Sequence, residues 1–237
     1  MSSPDMMLRK EALEQSLRVI ASRGAGQRLV ALLRHSARVD ITGYTVEQAV
    51  LAPLTDAGRA LARDFGRRLP TDRPVRIFHS EVPRCEDTAQ RLAEGMMEAG
   101  GQVEILGSRT SLAAFFIRDP WAVALEFGQR GPRGFMREWL SGKLGPAVMD
   151  PPEQAARDQL AALMLERNCL PEPDAPGLDL HVSHDVNVMA LLHLCVDISD
   201  QSVPWPGYLE GVILETGGGA PYTWWYHDRT GRLPQES

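Results

Sequence analysis

Apolar residues follow Arg28 without interruption as far as Leu33 and stop at Arg34-His35. A run of this kind, with no polar alternation, predicts a strand buried on both faces whose carboxyl end carries ionisable groups. Two later stretches also end on ionisable groups: Ile77-Phe78 leads into His79-Ser80, and Leu178–Val182 leads into Ser183-His184-Asp185. Gln102–Leu106 predicts another strand. Helical spacing separates these runs. Leu8, Leu13, Leu17 and Ile20 place an amphipathic helix over Met6–Ala21, ended by Gly24 and Gly26, that packs on the sheet or on a partner. Thr55 caps a helix to Arg68 with Gly58, Leu61, Ala62, Phe65 and Leu69 on one face, and Pro83 opens a helix carrying Cys85, Leu92 and Met96. Val39–Pro53, ahead of the Thr55 helix, reads as a loop. Val186–Cys195 reads as a helix with Ala190, Leu191 and Leu194 inward and His193 structural.

The pattern loosens across residues 107–177. Helices are expected around Trp121–Phe127 and Pro152–Arg167, broken by Gly131-Pro132, Gly145-Pro146 and Pro151-Pro152. We read this segment as a helical cap inserted into one domain spanning residues 1–237. Gly207–Glu215 and Tyr222–His227 predict two strands joined across Gly217-Gly218-Gly219, an antiparallel hairpin at the sheet edge. The expected fold is therefore α/β: a three-layer α/β/α sandwich with a mainly parallel central sheet, an antiparallel edge and the cap.

Composition changes this picture little. A chain of 237 residues with 43% hydrophobic content can bury a core of that size. Its net charge of −6 argues against nonspecific nucleic-acid binding and makes arginines gathered at one site more noticeable. Cys85, Cys169 and Cys195 have neither disulfide nor zinc spacing, so each is expected to be buried and structural. Charges interrupt the N-terminal segment, and no apolar run reaches membrane-span length. A cytoplasmic location without membrane partners is expected, and the first helix offers a surface for a homodimer.

The chemistry lies at the strand ends. In an open α/β sheet the carboxyl ends of strands form the ligand crevice, so Arg34-His35-x-x-Arg38, Ser80-x-x-x-Arg84 and His184-Asp185 can converge although far apart in sequence. Guanidinium groups match phosphate oxygens two at a time. Arg34, Arg38 and Arg84 would offset phosphate charge and disfavour a proton on His35, leaving its imidazole nucleophilic. His184 could hydrogen-bond a phosphoryl oxygen as the group moves, and Asp185 is the best-placed acid for the leaving alcohol, with Asp119 and Glu81 as rivals. Near the expected pocket lie Thr42, Gly43 and Tyr44. Tyr208 and Glu210 are further candidates to face it. In the cap, Phe115, Phe116, Arg118, Trp121, Arg130, Arg133, Arg137 and Trp139 are candidates for holding an anionic organic group, with Tyr44, Arg118 and Trp121 singled out as substrate-binding. A metal site from His181, His184 and Asp185 is disfavoured, because residues three apart on a strand face opposite ways. No cofactor or metal is expected.

Four motifs, in order, resemble the histidine phosphatase superfamily, which includes phosphoglycerate mutases and histidine acid phosphatases. They are Arg34-His35-x-x-Arg38, Leu54-Thr55-x-x-Gly58, Ser80-x-x-x-Arg84-Cys85-x-x-Thr88-Ala89 and Ser183-His184-Asp185, and they span roughly two thirds of the chain. The resemblance implies a phosphohistidine on His35. It looks closer to the acid phosphatase branch at His184-Asp185, where that branch uses the Asp as proton donor; phosphoglycerate mutases usually place Gly after the second His and take a Glu from another loop. Ser36 departs from the glycine usual after the first His, and Asp40 stands where acid phosphatases often have Pro. The expected activity is hydrolysis of a small-metabolite phosphate monoester. A phosphomutase using the same intermediate, or a noncatalytic phospholigand-binding scaffold, remains open at this point.

Overall fold

The computed structural model describes residues 4–169, 175–197, 202–217 and 222–233, with side chains described from Leu13 onward and excepting that of Pro132. Seven strands form one mixed sheet: β1 (Arg28–Arg34), β2 (Val75–His79), β3 (Val103–Ser108), β4 (Gly177–Ser183), β5 (Gly211–Glu215), β6 (Thr223–Tyr226) and β7 (Arg229–Arg232). Their order is β3-β2-β4-β1-β5-β6-β7. The first four are parallel, and β5, β6 and β7 are each antiparallel to the strand before them in that order. The three chemistry-bearing strands are thus immediate neighbours, β2-β4-β1. Backbone bonds carry the ladder past the strand ends, from His35 N to Ser183 O at 2.8 Å and from Ser80 N to Val182 O at 2.9 Å.

Both faces of the sheet are covered, which is why β1 reads as an unbroken apolar run. Leu29, Ala31 and Leu33 face the layer of α1 (Pro4–Ser22), α3 (Asp56–Arg67) and α4 (Pro83–Glu98), where Leu17, Ile20, Phe65, Leu92 and Met96 are buried. The first helix therefore packs on the sheet. Val30 and Leu32 face the opposite layer, where α5 (Pro120–Leu140), α6 (Pro152–Asn168) and α7 (Asp185–Leu192) bury Phe135, Trp139, Leu163 and Leu191. At about 25 cal/mol per Å² of apolar area, burial on two faces is what sets the register of such a sheet. The close contact between α3 and α4 depends on missing side chains: a Cβ on Gly66 would lie 2.1 Å from Leu92 O, and one on Gly95 1.9 Å from Arg63 O.

Several elements differ from expectation. The Val39–Pro53 stretch contains a short helix, α2 (Val46–Leu51), specified by a capping box in which Thr45 and Gln48 each accept a hydrogen bond from the other's backbone N–H. The expected break at Gly131-Pro132 is a kink within α5, with Gly131 at φ 67°. The sheet edge on the antiparallel side is β7 rather than the β5–β6 pair, and β5 lies against the central β1. Of the glycines proposed to join β5 to β6, Gly218 and Gly219 lie outside the described residues. Cys169 is exposed, not buried, because it caps the solvent end of α6. No described helix is long and apolar enough to cross a membrane.

Candidate active site

His35 follows the last residue of β1 and is buried with 2% exposure. Its Nδ1 lies 2.7 Å from Ser36 O, which as an acceptor assigns the proton to Nδ1 and leaves the Nε2 lone pair facing the site. Arg84, in the first turn of α4, reaches it there: Nε donates to His35 Nε2 at 2.9 Å. The same guanidinium places Nη2 3.2 Å from His184 Nδ1 and donates from Nη1 to Ala49 O and Val50 O at the end of α2. On its other side His184 Nε2 contacts Ser80 Oγ at 3.1 Å, so Nε2 carries the proton and Nδ1 accepts. One arginine joins both histidines. Their ring centroids are 5.6 Å apart.

Burial and neighbouring cations act on the histidines in the same direction. Removal from water holds His35 well below the ordinary imidazole range, reinforced by Arg84, His184 and Arg34 and opposed by the bond to Ser36. Burial and then Arg84 push His184 down as well, with Asp185 opposing. Arg84 is itself lowered, chiefly by burial. Both imidazoles are therefore neutral at pH 7, the state in which Nε2 of His35 is nucleophilic.

Arg34 ends β1 with its guanidinium turned across the crevice. Nη1 donates to Pro206 O at 2.8 Å, Nη2 pairs with Asp185 Oδ2 at 3.1 Å, and Cζ lies 4.5 Å from the centre of the Tyr208 ring. Its buried Nε has no hydrogen-bond partner among the described residues. Arg38 Nη1 donates to the neighbouring Val39 O at 3.0 Å. Asp185 opens α7; its Oδ1 accepts from Val186 N at 3.0 Å, and its Oδ2 also accepts from Trp205 Nε1 at 3.2 Å. The N-termini of α4 and α7 both end at this crevice, adding the partial positive charge of their free N–H groups.

The loop after His35 is fixed by groups that the motifs contain. Ser36 N donates to Thr88 Oγ1 at 3.1 Å, and Thr88 Oγ1 donates to Arg84 O at 2.7 Å, coupling the nucleophile loop to the arginine helix. Thr55 N bonds Ala37 O at 3.0 Å and its hydroxyl caps α3 through Gly58 N at 2.9 Å. Gly58 is required by space, since a Cβ there would lie 2.0 Å from Ala37 O. Ser36 does more than fill the place of a glycine: its buried hydroxyl donates to Gly58 O at 2.7 Å.

Arg34, His35, Arg38, Arg84, His184 and Asp185 thus share one crevice. The cap candidates do not join it through any bond among the described residues. Phe116 and Trp139 are buried and stacked on one another at 4.9 Å, in the core beneath the sheet. Arg118 is held by Asp150 through two bonds of 2.6 Å, and Arg130 by Glu126. Trp121 is 71% exposed and Tyr44 46% exposed. Of the rival acids, Asp119 caps α5 by accepting from Trp121 N and Ala122 N, and Glu81 is exposed. Glu210 turns inward to accept from Gly207 N at 2.8 Å and lies 3.1 Å from His227, while Tyr208 reaches Arg34 and His35. His181 is buried away from the crevice, stacked on Phe78 at 4.7 Å, and among the described residues no group of His, Cys, Asp and Glu is arranged to hold a metal ion. The residues missed in the sequence are Ala49 and Val50, which contribute carbonyls, and Trp205 and Pro206, whose only signal is the turn composition of Trp205-Pro206-Gly207-Tyr208.

A family model described as the histidine phosphatase superfamily (branch 1) matches residues 30–105. The fold agrees: mycobacterial hydrolase 1 superposes with TM-score 0.57 at 20% identity, covering 84% of this chain and 95% of that one. A mycobacterial glucosyl-3-phosphoglycerate phosphatase in complex with VO3 gives TM-score 0.55 at 21% identity, over 87% of this chain and 98% of that one. Phosphoglycerate mutase from Bacillus anthracis gives 0.52 at 16% identity, over 85% and 93%. At these identities the likeness is one of fold. The family-model match spans three of the four motifs, from Arg34 to Ala89, and the superposed structures share the fold. The matched model is that of branch 1 and ends before His184-Asp185, so the leaning towards acid phosphatases rests on that pair of residues alone. No curated protein matches the chain at a significant level.

Proposed function

We propose that the protein is a phosphatase that hydrolyses a phosphate monoester of a small metabolite through a phosphohistidine on His35. The observation that carries this reading is the neutral His35 Nε2 facing Arg84 at 2.9 Å, a nucleophile presented to a fixed cation with Arg34 and Arg38 beside it. A phosphate entering the crevice takes the guanidinium donors that now bond the two histidines. The Nε2 lone pair then attacks phosphorus in line with the ester oxygen, and the P–O bond breaks with its electron pair going to that oxygen. His184 bonds a phosphoryl oxygen as charge shifts.

Asp185 is the proposed proton donor. A phosphate monoester bound as its monoanion draws Arg34 away from the carboxylate and passes it the phosphate's remaining proton, and the carboxyl group gives that proton to the leaving oxygen as the P–O bond breaks. In the second half-reaction the carboxylate accepts a proton from water as the water oxygen attacks phosphorus and the N–P bond returns its pair to His35. The scheme uses no metal.

The test is phosphate release by wild type and His35→Ala from a panel of phosphorylated metabolites and one activated aryl phosphate, with trapping of base-stable, acid-labile phosphoenzyme. Wild type should turn over and form phosphoenzyme, and His35→Ala should do neither. Turnover surviving in His35→Ala overturns the reading, and phosphoenzyme that discharges only to a second alcohol identifies a mutase instead.

A further inference from the structure

The residues opposite the arginine helix come from a segment that the family motifs do not include. Between α7 and β5 the chain passes through Val203–Glu210 and wraps around Arg34. Pro206 O accepts from its guanidinium, the Tyr208 ring lies under it, Leu209 N donates to Arg34 O at 3.0 Å, and Arg34 N donates to Glu210 O at 2.9 Å. The arm is held from outside as well: Tyr226 Oη donates to Pro204 O at 2.7 Å, and Glu210 accepts from Gly207 N. Leu209 is held at φ 59°, a left-handed conformation that a branched side chain adopts only where its surroundings impose it.

Trp205 donates its indole N–H to Oδ2 of Asp185, the same oxygen that Arg34 holds. Two donors of different kinds therefore share one carboxylate oxygen. They respond differently to a phosphate. The guanidinium is attracted to the phosphate oxygens, whereas the indole is an uncharged donor anchored by half-burial against the core around α7. When Arg34 turns to the phosphate, the carboxyl group loses the partner that fixed its orientation on that side. Trp205 remains.

We infer that Trp205 is a positioning residue, whose indole N–H holds the Asp185 carboxyl at the leaving-group side of the crevice after Arg34 has turned to the phosphate. This rests on the phosphohistidine reading and on Asp185 as acid. Its consequence is selective: Trp205 matters where the leaving oxygen needs a proton, and little where the leaving group departs as a stabilised anion. No new covalent step is involved, since the proton still passes from Asp185 to the ester oxygen.

The experiment compares kcat for an alkyl phosphate and for an activated aryl phosphate in wild type, Trp205→Phe, Asp185→Asn and the double variant. Trp205→Phe keeps an aromatic ring at the position and removes the N–H donor. It should lose at least tenfold more kcat on the alkyl than on the aryl ester, with KM and inhibition by inorganic phosphate changing less than threefold. In the Asp185→Asn background the same substitution should add less than twofold, because it then has no acid to position. Equal loss on both esters, no loss on either, or full additivity in the double variant overturns the inference while leaving the phosphohistidine reading intact. A wild type that forms no phosphoenzyme overturns that reading and this one together. If Trp205→Phe does not fold, Trp205→Leu, which also lacks the N–H donor, replaces it; a loss on the alkyl ester no larger than on the aryl ester would again overturn the inference.

Discussion

Arg84 points its Nε at the one nitrogen of His35 that faces the crevice, 2.9 Å away. A cation bonded to the nucleophile's lone pair keeps the imidazole neutral, and it also occupies the place that a phosphate must take. The remaining donors of the same group span His184 and two carbonyls of α2, so the guanidinium fixes two histidines and a helix end at once.

Lysine cannot reproduce that geometry, because its charge sits at a point and lacks the planar fork. Arg84→Lys should therefore lower kcat/KM for any substrate the wild type hydrolyses by about 10²–10³, the range found when a single charge-stabilising donor is removed. Circular dichroism and thermal midpoint should stay near wild type. A loss under threefold would mean that the bridge between the histidines is not used in turnover.

Stability should fall with acid. His35, His181 and His184 are all buried, and His181, whose nitrogens have no hydrogen-bond partner among the described residues, is pushed down to about 3 by burial and then by Arg109 and Arg76. Each is neutral in the folded chain but protonates near pH 6.5 when unfolded. Between those limits the unfolded state binds more protons, so stability rises with pH there and is insensitive to these groups above about pH 7. The slope can reach about 1.4 kcal/mol per pH unit for each histidine. Urea midpoints measured from pH 7.5 to 5 should fall accordingly. His181→Phe removes one of these protons and two unsatisfied nitrogens, so it should flatten the slope and leave stability at pH 7 unchanged or raised by about 1–3 kcal/mol; an unaltered slope would contradict this account.

How far the sequence discloses the site depends on how each group acts. The end of β1 is legible because burial on both faces writes an uninterrupted apolar run that stops where charge begins, whereas β2 and β4, interrupted by Arg76, Asp179 and His181, are legible by the ionisable groups that follow them. Thr88 and Gly58 are legible only as parts of a motif, yet their reasons are local: one hydroxyl couples two loops, and one absent Cβ lets Ala37 approach. The Trp205 arm is not legible, since it works through a carbonyl, a ring face and an indole whose meeting with Asp185 depends on β5 pairing with β1. Nor is α2, which buries no residue and so has no apolar stripe to read. The segment expected to form a cap misleads for the opposite reason. Aromatic residues such as Phe116 and Trp139 signal equally a pocket or a core, and only packing decides.

Gly58→Ala tests the close approach behind His35. The added methyl carbon would meet the backbone oxygen of Ala37 at 2.0 Å, and neither backbone can yield without moving the loop that carries Ser36 and Arg38. We expect a loss of about 1–3 kcal/mol or more in stability, as for other overpacked sites, together with loss of phosphatase activity. Gly128→Ala is the matched control. It lies in α5 with nothing within 4 Å of its Cβ position, and should gain up to about 1 kcal/mol through helix propensity. Equal effects of the two substitutions would remove the steric explanation.

Cys85 sits beside Arg84, with Sγ 3.8 Å from His184 Nε2, a setting in which a thiol is commonly taken to be reactive. Burial decides otherwise. The desolvation of a thiolate outweighs the attraction of Arg84 and pushes the thiol up to about 12, and no path to solvent is open at 0% exposure. Because the thiolate is the nucleophile, its population at pH 8 should be lower by about three orders of magnitude than for an ordinary cysteine. Exposed Cys169 provides the internal comparison. Iodoacetamide applied to the native protein should modify Cys169 within minutes and leave Cys85 intact until denaturant is added, as read by peptide mass spectrometry. Rapid native alkylation of Cys85 would show that the arginine helix opens on that timescale and that the packing of α4 against β4 is looser than the structure indicates.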